Sequence, residues 1–160
     1  MRLALSALVA LSAAACLNQP TSGALVQQTA HELNLNLRFG RMELASENVG
    51  PTYKEKFVQA HEAWGGQVRV ADTELDGLQL TGKEDALVAV RFAWFRVDEG
   101  DLRTTVVRQK WHDYKGTWML DGEERATGDI GLLGEKVEVL APEGGQRPAQ
   151  FPTVRIGAVD

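Results

Sequence analysis

With 160 residues and 17 Lys and Arg against 22 Asp and Glu, the chain carries a net charge of −5 with both signs interspersed. It therefore shows no basic face of the kind a nucleic-acid binder carries, and its one cysteine rules out a disulfide within the chain. Setting aside an N-terminal leader leaves about 145 residues, enough for one domain that buries about two thirds of its unfolded surface.

Arg2, the apolar run Leu3 to Ala15 and the small triplet Ala13-Ala14-Ala15 ahead of Cys16 predict a secretory signal over residues 1–15. About 13 apolar residues fall short of the roughly 20 that span a bilayer. The segment resembles a bacterial lipoprotein signal, although Ala13 stands three before the cysteine where that family usually has Leu. The resemblance implies cleavage by signal peptidase II and acylation of Cys16. Several acyl chains anchor stably where one binds marginally, at about 0.8 kcal/mol per buried methylene. Leu17 follows the cysteine in place of the Asp that signals inner-membrane retention in the enterobacterial pattern, which implies an outer-membrane destination facing the periplasm. The alternatives are an ordinary secretory signal cut near Ala-x-Ala, with Cys16 a free thiol, or an uncleaved anchor. Residues 16–23, with Pro20, Thr21, Ser22 and Gly23, then form a tether reaching at most about 25 Å.

From Ala24 to Ala45, Leu25, Thr29, Leu33 and Leu37 recur every four residues. The near absence of β-branched residues after Ala30 decides for helix over the competing alternation of Leu33, Leu35, Leu37 and Phe39, with Gly40 kinking or breaking it. Gly50 and Pro51 start a second helix that places Tyr53, Phe57, Ala60 and Trp64 on one side and ends at Gly65-Gly66.

Strands follow. Gln67 to Leu80 alternates, with parity slips between Val70 and Thr73 and near Asp76-Gly77 that predict a bulge or tight turn. Asp85 to Val97 is apolar on both sides, Val88, Val90, Phe92 and Trp94 on one and Leu87, Ala89, Ala93, Phe95 and Val97 on the other, which predicts a central strand covered on both faces. In Leu102 to Asp113, Thr105, Val107 and Trp111 share one face and Arg108, Lys110 and His112 the other. Lys115-Gly116 predicts a tight hairpin into Thr117 to Gly122. The tail from Arg125 to Asp160 is broken by Gly and Pro, with Lys136 to Leu140 and Phe151 to Ile156 as possible short strands.

Helices followed by a meander predict an α+β fold, N-terminal helices packed on a curved antiparallel sheet. The run from Trp111 to Leu120, aromatic, turn, Gly-x-Trp-x-aliphatic, resembles the last hairpin of the nuclear transport factor 2-like and SnoaL-like superfamily. The resemblance implies a cone-shaped, cystatin-like domain over residues 24–124, with residues 125–160 as an extension. It also implies a conical pocket whose use differs among members, so fold alone does not give function.

Candidate pocket residues are His61, Trp64, Asp72, Arg91, Trp94 and Trp111. Asp72 and Glu74 share parity with Val68 and Val70 and point inward unless a bulge turns them to solvent, the reading that Thr73 and Leu75 favour. Arg91 either offers a guanidinium to an anion or pairs with a helix Glu. The tryptophans read first as core. His31-Glu32 and His61-Glu62 do not extend to a two-His metal motif, and no nucleophile elbow or phosphate-binding loop is visible, so neither metal nor cofactor is expected. The expectation is a membrane-anchored envelope lipoprotein acting as a non-catalytic module that binds a protein or small hydrophobic ligand. Its rivals are a SnoaL-like enzyme using Asp72 or Glu74 with His61, and a structural envelope protein that interacts through its tail.

Overall fold

The computed structural model describes residues 20–136. The signal segment, Cys16 and the tail beyond Lys136, including its two possible short strands, lie outside the described residues.

Three helices precede a four-stranded antiparallel sheet: α1 (Ser22–Arg38), α2 (Met42–Glu47), α3 (Lys54–Ala60), β1 (Val68–Leu80), β2 (Asp85–Arg96), β3 (Leu102–Asp113) and β4 (Trp118–Gly128), in the order β1-β2-β3-β4. The side chain of Thr21 caps α1 by accepting from the Ala24 amide at 3.2 Å. The buried stripe of α1 is Val26, Ala30, Leu33 and Leu37, turned by one residue in its first two turns from the expected Leu25 and Thr29. Gly40, at φ +67°, lets the chain leave the helix, and it passes so close to Gly65 that a Cβ at Gly40 would lie 3.4 Å from the Gly65 Cα.

The second expected helix is shorter than its apolar spacing suggests. Gly50 to Tyr53 form a turn in which the Gly50 carbonyl accepts from the amides of Tyr53 and Lys54, so α3 starts only at Lys54. It ends at His61, and Trp64 instead forms a one-residue bridge to Val68.

The two parity slips in the first strand are bulges within the long β1, between Val70 and Asp72 and between Leu75 and Gly77. Among the described residues β2 is not covered on both sides as its composition suggests. Val88, Val90, Phe92 and Trp94 are buried, whereas the alternate positions are half-buried or exposed, because the helices pack on one face of the sheet. The hairpin turns on Lys115 (φ 58°) and Gly116 (φ 94°), a pair of positive φ values that matches strand twist.

β4 runs on past Gly122 to Gly128, through the expected domain limit at residue 124. Beyond it Leu132 is buried and its carbonyl accepts from Trp64 Nε1 at 2.7 Å, so residues 125–136 close over the same core. A bulge makes the longer β4 possible: Trp111 pairs with Leu120 but Lys110 pairs with Gly122, leaving Asp121 as the extra residue. That residue reverses the parity as far as Arg125, where a second bulge at Ala126 restores it, and turns Glu123 inward, opposite Gln109.

Candidate functional site

Aromatic side chains fill the interior of the curved sheet. Trp94, Trp111, Trp118 and Trp64 are all buried, the last being the most exposed at 7%. Phe57 and Phe92 complete the packing, with Trp64 edge-on to Phe92 at a centroid distance of 5.4 Å. Trp94 donates to Thr105 Oγ1 at 2.9 Å, and Thr105 passes its own proton to the Asp129 carbonyl at 2.7 Å.

Within this apolar interior runs a chain of polar groups. His61, at the C-terminal end of α3, lies between Phe57 and Trp64, with ring centroids at 4.2 and 4.5 Å, and its Nδ1 is 2.8 Å from the Phe57 carbonyl oxygen. Its Nε2 faces Glu123 Oε2 at 3.5 Å, an ion-pair separation longer than a hydrogen bond, and the two side chains are 0% and 1% exposed. Glu123 Oε1 accepts from Gln109 Nε2 at 2.9 Å. Gln109 and Asn34 form a reciprocal amide pair at 3.1 and 3.0 Å, and Asn34 Nδ2 also donates to the Ala30 carbonyl at 2.7 Å.

Burial pushes the Glu123 carboxyl above the usual carboxylate range, against the opposing pull of His61 and Gln109. Tyr53, beside it, is pushed well above tyrosine's ordinary value by burial and then by the Glu123 charge.

The structure brings His61, Trp64, Trp94 and Trp111 into one interior and leaves Asp72 and Arg91 outside it. Asp72 is 67% exposed at its side chain and pairs with Arg38 at 2.9 Å, because the bulge after Val70 turns it to solvent. Arg91 lies on the open face of the sheet, where it holds Asp76 at 2.7 Å and Glu74 at 3.4 Å on β1. Its partners are strand carboxylates and not a helix Glu. The acid that meets His61 is thus Glu123, which parity along β4 hides, and not Asp72 or Glu74. Gln109 carried a signal, since it shares parity with Thr105, Val107 and Trp111; Asn34 follows Leu33 on α1 with none.

A pair of ionisable groups inside a cone is the arrangement proton-transfer chemistry needs, but these two are sealed from solvent. A groove of about 480 Å³ lies elsewhere, between Gln59, Ala63, Gln67 and Gly134. Among the described residues no three His, Cys, Asp or Glu side chains gather as a metal site would require.

No protein-family model matches the chain, and no curated protein does. Solved structures do. A putative Ca/calmodulin-dependent kinase II association domain from Exiguobacterium sibiricum is 10% identical, with 67% of this chain and 94% of that one covered and a TM-score of 0.54. A protein of unknown function with a cystatin-like fold from Nostoc punctiforme is 11% identical over 70% of this chain and 96% of that one, with a TM-score of 0.46. The similarity to the first shows the fold: this chain has the α+β architecture in which helices close one side of a curved antiparallel sheet, the cone-shaped fold expected from its last hairpin.

Proposed function

We propose that the protein is a lipid-anchored lipoprotein of the bacterial cell envelope, sorted to the outer membrane and facing the periplasm, whose cone is a non-catalytic scaffold for binding or assembly. The observation that carries this reading is the sealed interior: with all four tryptophans buried and His61 and Glu123 closed to solvent, a substrate has no path to the ionisable pair. Recognition then falls to outer surfaces.

One end of the molecule is suited to that role. The exposed side chains of Phe39 (59%), Val97 (60%) and Leu102 (68%) lie where the end of α1 meets the start of β1 and the β2–β3 turn, linked by the contact of Gly40 with Gly65 and the bond from the Val97 amide to the Gln67 carbonyl. The tether enters at the other end of α1, about 25 Å away for a 17-residue helix. An anchor at Cys16 therefore supports an orientation in which the apolar end points away from the bilayer, toward a protein or a small hydrophobic ligand. Among the described residues no helix is long and apolar enough to cross a membrane, so attachment in this reading rests on the acylated cysteine.

Fractionation tests the anchor: the Cys16→Ala chain leaves the membrane fraction and loses incorporation of labelled fatty acid, and retention with unchanged labelling would sink the lipoprotein reading. A photo-crosslinker at Leu102 tests the surface against one at Leu80, near the opposite end of β1; equal capture at both would remove the apolar end from the proposal.

The convergence of His61 with Glu123 favours a second reading, a SnoaL-like enzyme of isomerase or dehydratase type. That enzyme needs the tryptophan layer to open. Unaltered tryptophan fluorescence and amide exchange across a panel of enolisable carbonyl compounds would leave it without a substrate path.

A further inference from the structure

We infer that the facing His61 and Glu123 side chains, 3.5 Å apart at Nε2 and Oε2, together carry one proton, and that this buried proton makes the fold a pH-sensitive lock that tightens toward mildly acid pH and loosens in alkali. The inference is independent of where the protein resides.

The hydrogen bonds fix every other proton in the chain. At one end the Ala30 carbonyl can only accept, so the group 2.7 Å from it is the Asn34 amide nitrogen. The second hydrogen of Asn34 Nδ2 goes to Gln109 Oε1, and the return bond from Gln109 Nε2 to Asn34 Oδ1 fixes the Gln109 amide. Gln109 Nε2 has one hydrogen left, and it points at Glu123 Oε1. That oxygen is therefore an acceptor and carries no proton.

At the other end the Phe57 carbonyl, 2.8 Å from His61 Nδ1, requires Nδ1 to be the protonated nitrogen. In a neutral ring Nε2 then offers only a lone pair. It faces Glu123 Oε2, which is also a lone pair in the carboxylate, and neither atom has another hydrogen-bond partner among the described residues. With no proton there, two buried acceptors oppose each other. With two, N–H opposes O–H. One proton on the pair removes that opposition, written as neutral imidazole with carboxylic acid or as imidazolium with carboxylate.

The other groups packed against the pair do not supply this proton. α1 and β3 contribute the neutral amides of Asn34 and Gln109, and Phe57 and Trp64 contribute rings. Tyr53, which faces Glu123 from the start of α3, keeps its own proton because its hydroxyl is pushed well above its ordinary value.

In the unfolded chain the ordinary values, about 4.3 for Glu and about 6.5 for His, apply. Above pH ~6.5 the unfolded pair binds no proton and the folded pair binds one, so the folding constant falls about tenfold per pH unit until the folded pair releases it. Between about pH 4.3 and 6.5 both states bind one and the contribution is flat. Below about 4.3 the unfolded pair binds two, and stability falls again. The elevated Glu123 carboxyl agrees in sign, since a group raised in the folded state loses its contribution as pH rises through the folded value.

Glu123→Gln replaces the shared proton with a covalent one: its carbonyl accepts from Gln109 and its amide donates to His61 Nε2 at every pH. Urea unfolding of the full chain in detergent between pH 6.5 and 9 should show the ratio of wild-type to variant folding constants falling about tenfold per pH unit, with the other histidines cancelling. A ratio that stays level across that range would overturn the inference. If the variant does not fold, ¹⁵N NMR of the wild-type imidazole decides. A protonated Nδ1 at pH 7.5 is the expected signature, and a bare Nδ1 overturns it.

Discussion

On the outer face of the sheet Arg91 bridges Asp76 and Glu74 with its side chain 44% exposed, while on the inner face, a few residues away along the ladder, the Glu123 side chain lies 1% exposed against His61. Both are carboxylates on strands facing a basic group. The outer ones are hydrated, so their pairing is worth little and tolerates loss. Glu123 is sealed from solvent, with Gln109 donating to Oε1 and the His61 ring facing Oε2, which makes each neighbour hard to replace.

The sharpest way to break the contrast is to open the inner face. Trp94→Ala should cost about 3–5 kcal/mol, since it removes a fully buried indole from among rigid strands and leaves a cavity. It also takes the donor from Thr105 Oγ1. Urea unfolding measures the loss, and a loss under about 1.5 kcal/mol would mean that the interior is not the close-packed layer described above.

Next comes the polar chain itself. Gln109→Leu puts a branched apolar group one bond shorter in place of the amide and adds apolar surface, yet should destabilise by about 1–3 kcal/mol for each buried group it orphans. Asn34 would lose both reciprocal bonds and Glu123 its one donor to Oε1. Replacing Asn34 and Gln109 together with Leu should cost less than the sum of the two single changes, and a double-mutant cycle that closes at zero coupling would show the amides to be independent.

Why the sequence reveals the outer face better than the inner polar chain follows from parity. Val70 to Thr73 and the Asp76-Gly77 pair break an otherwise visible alternation, so the bulges of β1, and with them the outward turn of Asp72, are legible from residue order. The Leu33 and Leu37 rows of α1 and the Lys115-Gly116 hairpin are legible for the same reason: each is a local rule acting within a few residues. Glu123 is not. Trp118 and Leu120 set an inward parity that points Gly122 to the core and Glu123 to water, and only the unpaired Asp121 reverses it. The cause lies in the pairing with β3, through the Trp111 and Leu120 register, and no nearby residue type announces it. His61 was legible as a helix residue near Trp64, but its partner arrives from 62 positions away in the chain, just past the strand expected over Thr117 to Gly122. The apparent two-sided apolarity of β2 misleads in the opposite way. Ala89 and Ala93 are small enough to stand on a face that carries Arg91, Arg108 and Glu124, so they do not require a second layer.

The smallest effect tests the outer half of the comparison. Arg91→Ala removes two ion pairs from Asp76 and Glu74 and some covering of the sheet by the arginine stem. The side chains remain in water before and after, so the charges left behind are hydrated and not stranded, and the expected loss is about 0.2–1 kcal/mol. Because the attraction acts through solvent, raising the salt from 0.05 to about 1 M should shrink that loss further, the screening length falling to about 3 Å. The Glu123→Gln ratio should not respond to salt, since the pair it reports on is sealed from the ions. If the Arg91→Ala loss were instead large and indifferent to salt, the open face of the sheet would not be open in solution. A second layer, a partner or another copy of the chain, would then have to cover Arg91.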